Sequence, residues 1–129
     1  KENNRPYNCL LFQTHYDFFI CIPYRTEITH IYAYRFKKSS RSQKHKSGLD
    51  YTKIVIINNN IFIDDKTVVI DKDEYNETIK SIQKIKQDAL KYVEDYIAHI
   101  NGTSPLAHQE FNRRYHYSTL KYFHNELGI

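Results

Sequence analysis

Side chains that can bind a phosphate group are concentrated between residues 22 and 57 of this 129-residue chain. The segment 35–46 carries six arginines and lysines and no acidic residue, and it stands between two predicted strands. Like charges repel one another, and a phosphate backbone would relieve that repulsion while releasing its own counterions. A solvated surface loop is the ordinary alternative for a run of charge, but the hydroxyl and aromatic flanks favour a polyanion. The candidates for binding it are Arg35, Lys37, Lys38, Arg41, Lys44, His45 and Lys46.

Residues that flank this basic segment have the side chains that metal-free RNA cleavage requires. One group must accept the proton of the ribose 2′-hydroxyl, another must donate to the departing 5′-oxygen, and a cation must stabilise the charged phosphorane. Because the nucleophile belongs to the RNA, a few such side chains in a basic groove are enough. They come together only if segments 22–36 and 51–57 are neighbours in a sheet, and each residue alone is more often structural. The catalytic candidates are Arg25, Thr26, His30, Ser47, Tyr51 and Lys53.

A second basic and aromatic cluster occupies residues 113–117, with the sequence Arg-Arg-Tyr-His-Tyr. Arginine can hold a phosphate, and tyrosine can stack on a base. Helix-surface charge packed against tyrosine rings explains the same pattern equally well. The RNA-binding candidates in this cluster are Arg113, Arg114, Tyr115 and Tyr117.

Sequence signatures of the common catalytic and metal-binding sites are absent. The chain has no glycine-rich phosphate loop, no GxSxG, no HExxH and no CxxC motif, and its seven histidines lack metal-ligand spacing. We therefore expect no metal ion and no other cofactor.

Length and composition predict one globular domain over residues 1–129. Such a chain buries roughly two-thirds of its unfolded surface, which is enough for a core without disulfides. No apolar run approaches the ~20 residues that span a bilayer. Cys9 and Cys21 stand in apolar runs, and with no export signal visible we predict reduced core thiols in the cytoplasm. The chain opens on Lys1 rather than methionine, so we expect the native start to lie upstream.

The net charge of +4 is unevenly distributed along the chain. Acidic residues gather between positions 64 and 77, whereas the segment 35–46 is purely basic. This segregation predicts one positive face for the polyanion and an acidic face that points away from it.

Hydrophobic periodicity predicts the strands. Alternation and β-branched residues favour an antiparallel hairpin first, with its turn at 15–17, and a central strand at 51–57 that is buried on both faces. Pro23 should end regular pairing, which leaves residues 24–27 exposed at the end of the sheet. An asparagine turn is predicted at 58–60. The predicted strands are 7–14, 18–22, 28–36, 51–57, 61–63 and 67–70.

Helical spacing takes over in the second half of the chain. An apolar stripe predicts one long amphipathic helix over 75–100, ended by Asn101-Gly102. Ser104-Pro105 predicts the start of a short helix over 106–112, and Ser118 the cap of a last helix that ends at Gly128. The sequence therefore predicts an α+β domain, in which an antiparallel sheet is flanked by one long and at least two shorter helices.

Three segments together resemble the endoribonuclease toxins of type III toxin–antitoxin systems. They are the Arg5-Pro6-Tyr7 opening, the Ile22-Pro23-Tyr24-Arg25-Thr26 segment, and Ser47-Gly48-Leu49-Asp50-Tyr51-Thr52-Lys53 with its following apolar run. These segments, their order and the closing 118–127 segment are most similar to the CptN/TenpN branch, with ToxN and AbiQ as more distant relatives. The similarity covers nearly the whole chain.

The resemblance implies a strongly twisted, partly barrel-like antiparallel sheet similar to the Kid/MazF fold. It also implies metal-independent cleavage of cellular or phage RNA at A-rich sites, leaving a 2′,3′-cyclic phosphate and a 5′-hydroxyl. The implied inhibitor is a small pseudoknot RNA, which the toxin cuts from a repetitive precursor. Protein and RNA would then alternate in a closed hetero-oligomer, with abortive infection as one role. Neither DNA nor a membrane is an expected partner. A non-catalytic module that binds structured RNA is the alternative.

The resemblance also assigns individual positions. Thr26 falls where ToxN-like relatives place an active-site serine, and Ile28 stands where they carry a lysine. The missing cation leaves Arg25, Lys53 or Arg5 to replace it. Arg5 and Tyr7, both in the opening segment, are also RNA-binding candidates.

Overall fold

The computed structural model describes residues 9–58 and 72–129, and it has the predicted α+β class. Five strands in these two ranges form an antiparallel sheet in the order β1-β2-β4-β3, with β5 also paired to β2. Within the described residues this sheet does not close into a barrel. The strands are β1 (Cys9–Gln13), β2 (Phe19–Arg25), β3 (Ala33–Arg35), β4 (Gly48–Asp50) and β5 (Val55–Ile57).

In the described residues, five α-helices and two short 3-10 helices accompany the sheet. The α-helices are α1 (Ser40–His45), α2 (Lys72–Lys80), α3 (Ile82–Asn101), α4 (His108–Tyr115) and α5 (His124–Leu127), and the 3-10 helices are Tyr51–Lys53 and Thr119–Tyr122. In the described ranges, none of the helices has the length and apolar character needed to cross a membrane. Several predictions concern residues outside the described ranges. They are Arg5, Tyr7, the predicted strands 61–63 and 67–70, and most of the predicted asparagine turn.

The predicted hairpin is confirmed, because β1 pairs antiparallel with β2. Its turn needs no glycine: the Thr14 hydroxyl donates to the Phe18 carbonyl at 2.8 Å and accepts the Tyr16 N–H at 3.1 Å. The prediction that Pro23 ends regular pairing is wrong, since β2 continues to Arg25. Pro23 falls where one edge of β2 passes from β5 to β4, a place in a sheet that tolerates a missing N–H.

Two predicted strands are shorter than their patterns indicated. Only Ala33–Arg35 of the segment 28–36 is a strand. In the segment 51–57, the Asp50 carboxylate accepts the Thr52 N–H at 2.9 Å and starts a 3-10 helix, so the strand begins at Val55. This strand is not buried on both faces, because only Ile56 is fully covered. A local side-chain cap overrode the β-propensity of the sequence.

Cys9 and Cys21 are joined by a disulfide, so the prediction of reduced thiols is wrong. The two residues stand diagonally across the β1–β2 pair, with Cys9 opposite Pro23 and Cys21 opposite Leu11. Their Cα atoms are 5.8 Å apart, an ordinary separation for a disulfide. The argument for a reducing compartment that rested on these cysteines therefore no longer holds.

The predicted long helix is two helices that meet at Ser81. The predicted inward residues Ala89, Val93 and Tyr96 of α3 are buried, but the inward face of α2 was predicted wrongly. The apolar residues Tyr75 and Ile79 of α2 are each 50% exposed, whereas Glu74 and Glu77 are buried. The buried stripe of α3 (Ile85, Ala89, Tyr92, Val93 and Tyr96) continues backwards into α2 as carboxylates and a threonine. Hydrophobic periodicity could not find this stripe, because its first part is polar.

The helix stops were predicted better than the helix starts. Gly102 and Gly128 have φ angles of +77° and +75° and end α3 and α5 as expected. The Ser118 side chain accepts the Leu120 N–H at 3.1 Å, but it caps a 3-10 helix rather than an α-helix. Helix α4 starts at His108, two residues beyond the start predicted at 106.

One hydrophobic core lies between the sheet and α3. Its fully covered side chains are Ile20, Ile22, Leu49, Ile54, Ile85, Ala89, Val93 and Leu120. Three buried tyrosines, Tyr92, Tyr96 and Tyr115, extend this core to α4. The ring contacts of these tyrosines fix α4 against α3.

Candidate nucleic-acid interface

A cleft of about 250 Å³ lies where four separate parts of the chain converge. These parts are the end of β2 with the segment that follows it, the Asp50–Lys53 turn, the end of α4, and the segment after it. We call this the first cleft. Its lining consists of Arg25, Glu27, Ile28, Thr29, His30, Tyr32, Asp50, Thr52, Lys53, Arg113, Arg114 and Tyr117.

The first cleft joins three predicted catalytic residues to the second basic cluster. Arg25 and Lys53 line it, and in the described part of the chain neither forms an ion pair. The Lys53 ammonium donates to the backbone carbonyl of Tyr117 at 2.8 Å. Tyr117 itself is 76% exposed, so its ring is free to meet a ligand. Parts of the two candidate regions of the sequence therefore lie on one surface.

The arginines of α4 are partly neutralised. Arg113 and Arg114 bind the Glu110 carboxylate at 2.6 and 2.5 Å, and Arg114 also lies 3.2 Å from Asp95. The hydrogen bond from Arg114 is the main cause that lowers the pKa of Glu110, and it raises the pKa of Arg114. These pairs hold the guanidinium groups in place, but they reduce the charge that a phosphate would meet.

His30, the third catalytic candidate in the cleft, belongs to a hydrogen-bond network. Its Nδ1 accepts the Tyr32 N–H at 3.1 Å, and its Nε2 lies 3.2 Å from a carboxylate oxygen of Asp50. Asp50 is buried, and its same oxygen accepts the Thr52 hydroxyl at 2.6 Å. Both ring nitrogens therefore have protein partners. In this arrangement His30 holds Tyr32 and Asp50 in the wall of the first cleft and does not accept a substrate proton.

Glu27 was not singled out by the sequence, yet it stands at the mouth of the cleft. Its φ of +58° is uncommon for a residue other than glycine. The Glu27 N–H donates to the His45 carbonyl at 2.5 Å, and its carboxylate lies 3.2 Å from His45 Nδ1. The end of the basic segment is thereby fixed beside Arg25. Only the positive φ marks Glu27 as special, and it is not visible in the sequence.

Two buried carboxylates of α2 hold the basic segment and its flank by hydrogen bonds. Glu77 accepts the backbone N–H groups of Lys37 and Lys38 at 3.1 and 3.3 Å. Glu74 accepts the Ser47 hydroxyl at 2.5 Å and lies 4.0 Å from Arg41. The prediction of a separate acidic face is therefore wrong for Glu74 and Glu77, which lie buried against the basic segment because its backbone donors and charge require acceptors.

The remaining catalytic candidates lie elsewhere. Ser47 and Tyr51 are 1% and 6% exposed, and Thr26 is half-buried beside Arg25 without lining the first cleft. Among the RNA-binding candidates, Tyr115 is buried, and its hydroxyl donates to the Tyr92 carbonyl at 2.7 Å. Burial raises the pKa of the Tyr115 hydroxyl. The exposed candidates of the basic segment that line neither this cleft nor the next are Lys38, Arg41, Lys44, His45 and Lys46.

A second cleft of about 660 Å³ continues from the first, and the two share Tyr32, Arg113 and Arg114. Arg35 and Lys37 of the basic segment line it. Five residues of its wall belong to α3, and none of these was among the predicted site residues. Its other lining residues are Ile31, Ala33, Tyr34, Tyr51, Lys84, Asp88, Lys91, Tyr92, Asp95 and Glu110.

Across residues 9–58 and 72–129, no group of three or more histidine, cysteine or acidic side chains is arranged to hold a metal ion. Comparisons with protein-family models, curated proteins and solved structures gave no match to the chain. A proposal for its function therefore depends on the geometry of the clefts and on the sequence resemblance.

Proposed function

We propose that this protein binds single-stranded RNA across the two clefts and cleaves it at the first one. The observation that carries the proposal is the convergence of Arg25, Lys53, Arg113 and Arg114 around one cleft beside the exposed ring of Tyr117. Cations that track a phosphate backbone, next to aromatic rings that stack on bases, are the usual features of a single-strand site. Arg25 and Lys53 have no competing carboxylate in the described residues, so their charge is available to a phosphate.

The reaction we propose is transesterification within the RNA. The 2′-oxygen forms a bond to phosphorus, the bond from phosphorus to the 5′-oxygen breaks, and the products are a 2′,3′-cyclic phosphate and a 5′-hydroxyl. Arg25 and Lys53 stabilise the charge that develops on the phosphorane oxygens. Glu27 is the exposed carboxylate at the mouth of the first cleft, and we assign it the proton of the 2′-hydroxyl. We assign the Lys53 ammonium the donation of a proton to the 5′-oxygen.

The resemblance to type III toxins supports a biological role for this chemistry. The protein would be the toxin of such a system, acting in the cytoplasm on A-rich cellular or phage RNA. A pseudoknot antitoxin RNA would occupy the same clefts in a closed hetero-oligomer. We propose in addition that its sheet is strongly twisted and Kid/MazF-like.

The test is incubation of the protein with A-rich RNA in EDTA, with mass spectrometry of the product ends. We expect 5′-hydroxyl and cyclic-phosphate ends from the wild type. Arg25→Gln and Lys53→Gln should each lower the rate by about 10²–10³-fold, the effect of removing one donor to a developing charge. Lys121→Gln is the matched control, because Lys121 is an exposed lysine that lines neither cleft. Cleavage that depends wholly on added magnesium would refute this mechanism.

A second candidate function, a non-catalytic RNA-binding module, is favoured by one observation. Of the six catalytic candidates, Ser47 and Tyr51 are buried, and both nitrogens of His30 have protein partners. For such a module, Arg25→Gln and Lys53→Gln would weaken RNA binding, and purified wild-type protein would leave RNA intact. For the enzyme, Glu27→Gln should abolish cleavage while RNA affinity is unchanged or slightly stronger.

A further inference from the structure

The second cleft has the walls of a base-binding site rather than of a phosphate site. Four tyrosines line it, and the ring of Tyr92 lies 6.4 Å from the rings of both Tyr32 and Tyr51. Tyr32 and Tyr34 are half-buried, so part of each ring faces the cleft. A flat aromatic ligand can lie against such rings, whereas a phosphate gains nothing from them.

The cations of the second cleft stand mostly in ion pairs. Lys84 lies 3.0 Å from Asp88, and Lys91 lies 3.2 Å from Asp95. The mixture of acceptors and donors around aromatic walls suits a neutral polar ring better than a dianion. The two clefts share Tyr32, Arg113 and Arg114, so a nucleotide with its phosphate in the first cleft can place a base in the second.

Tyr51 supplies the second, independent observation. It is 6% exposed and lines the second cleft, and its hydroxyl is buried without a hydrogen-bond partner in the described residues. Buried polar groups are nearly always paired, so an orphaned hydroxyl needs an explanation. Burial raises its pKa, so the hydroxyl keeps its proton at neutral pH and can donate it to a ligand.

We propose that the second cleft binds one unpaired nucleobase of the RNA, stacked on Tyr32 and hydrogen-bonded by the Tyr51 hydroxyl. This inference rests on the proposed RNA binding at the first cleft, and it assigns the neighbouring base its own subsite. Tyr51, predicted as a catalytic residue, becomes a residue that recognises the base. The Tyr51 hydroxyl is buried in the free protein. A side chain of the cleft wall must therefore rotate before the base can reach it.

An abasic scan tests the proposal. A 2′-O-methyl RNA, which has no free nucleophile, is prepared with a single abasic site at each position in turn, and its affinity is measured by fluorescence anisotropy. We expect one position at which the missing base weakens wild-type binding by about 5- to 150-fold, the range for one base–aromatic stack. Tyr32→Leu should lower affinity for the intact RNA and remove most of that position's penalty. Tyr122→Leu, at a 71% exposed tyrosine that lines neither cleft, should leave the penalty unchanged.

Tyr51→Phe gives a readout that does not depend on folding defects. Because the hydroxyl has no partner in the free protein, its removal should leave the melting temperature unchanged or higher. Affinity for the intact RNA should fall about tenfold, and affinity for the RNA lacking the critical base should not change. The inference is overturned if no abasic position matters, or if neither tyrosine variant alters the penalty, although the RNA still binds. A wild-type protein that binds no RNA would instead refute the proposed function itself.

Discussion

The salt dependence of RNA binding tests whether the first cleft holds phosphates. For single strands, each phosphate neutralised contributes about −0.7 to the slope of log K against log salt concentration. If only Arg25 and Lys53 engage phosphates, the wild-type slope is about −1.4, and if Arg113 and Arg114 also do so it is about −2.8. Between 50 and 200 mM salt, these slopes correspond to affinity losses of about 7-fold and about 50-fold.

Single substitutions then separate the contributions. Arg25→Gln and Lys53→Gln should each make the slope shallower by about 0.7. Each should also weaken binding about tenfold at 0.1 M salt, because a charge-assisted hydrogen bond contributes about 1.5 kcal/mol or more. The assay is fluorescence anisotropy with a labelled 2′-O-methyl A-rich oligonucleotide, titrated at four or five salt concentrations.

Lys121→Gln removes the same charge from a lysine that lies over the ring of Tyr122, away from both clefts. Its slope should equal that of the wild type. If all three variants reduce the slope equally, the RNA is held by net charge alone, and the cleft has no special role. If none of them changes the slope, the phosphates contact another surface.

Four further predictions rest on single contacts. Glu110→Gln should free the α4 arginines and strengthen RNA binding at low salt, with a steeper salt slope; unchanged binding would show that these arginines do not reach the RNA. Arg114 lowers the pKa of Glu110 from its ordinary 4.5, so the ionised carboxylate should stabilise the folded wild type at neutral pH. In an acid titration, this stabilisation should be lost only as the pH falls below 4.5 and through the lowered pKa of Glu110. Gly48→Ala should lower the free energy of unfolding by about 1–3 kcal/mol or more in urea titration, because an added Cβ would collide with a backbone carbonyl of β3. An unchanged free energy of unfolding would contradict this packing. Reduction of the Cys9–Cys21 disulfide, whose cysteines are 12 residues apart, should cost up to about 3 kcal/mol in the same titration, and a Cys9→Ser, Cys21→Ser double variant should match the reduced protein.

The sequence by itself determined the features that depend on local signals. The β1–β2 hairpin follows from two apolar runs separated by a short polar turn. The stops at Gly102 and Gly128 follow from the low cost of positive φ at glycine. The cap at Ser118 follows from a hydroxyl that can accept a backbone N–H within its own turn. Each of these signals involves residues within a few positions of one another.

Local sequence patterns gave wrong predictions where a side chain binds a polar partner that the pattern does not show. The β-branched segment 51–57 predicts a continuous strand, yet the Asp50 carboxylate captures the Thr52 N–H and turns its first half into a 3-10 helix. Tyr75 and Ile79 predict the inward face of α2, yet that face is acidic because the basic segment needs acceptors. Hydrophobic periodicity finds apolar cores and cannot find a buried polar interface.

Only the tertiary structure decided which basic residues form a site. Arg25, Lys53 and Arg113 are separated by dozens of positions, and packing of α4 against the buried tyrosines of α3 brings them to one cleft. The purely basic segment looks like the site in the sequence, but five of its seven candidates line neither cleft. Charge along a sequence reports how many cations are present. Their convergence depends on long-range contacts, which no single segment encodes.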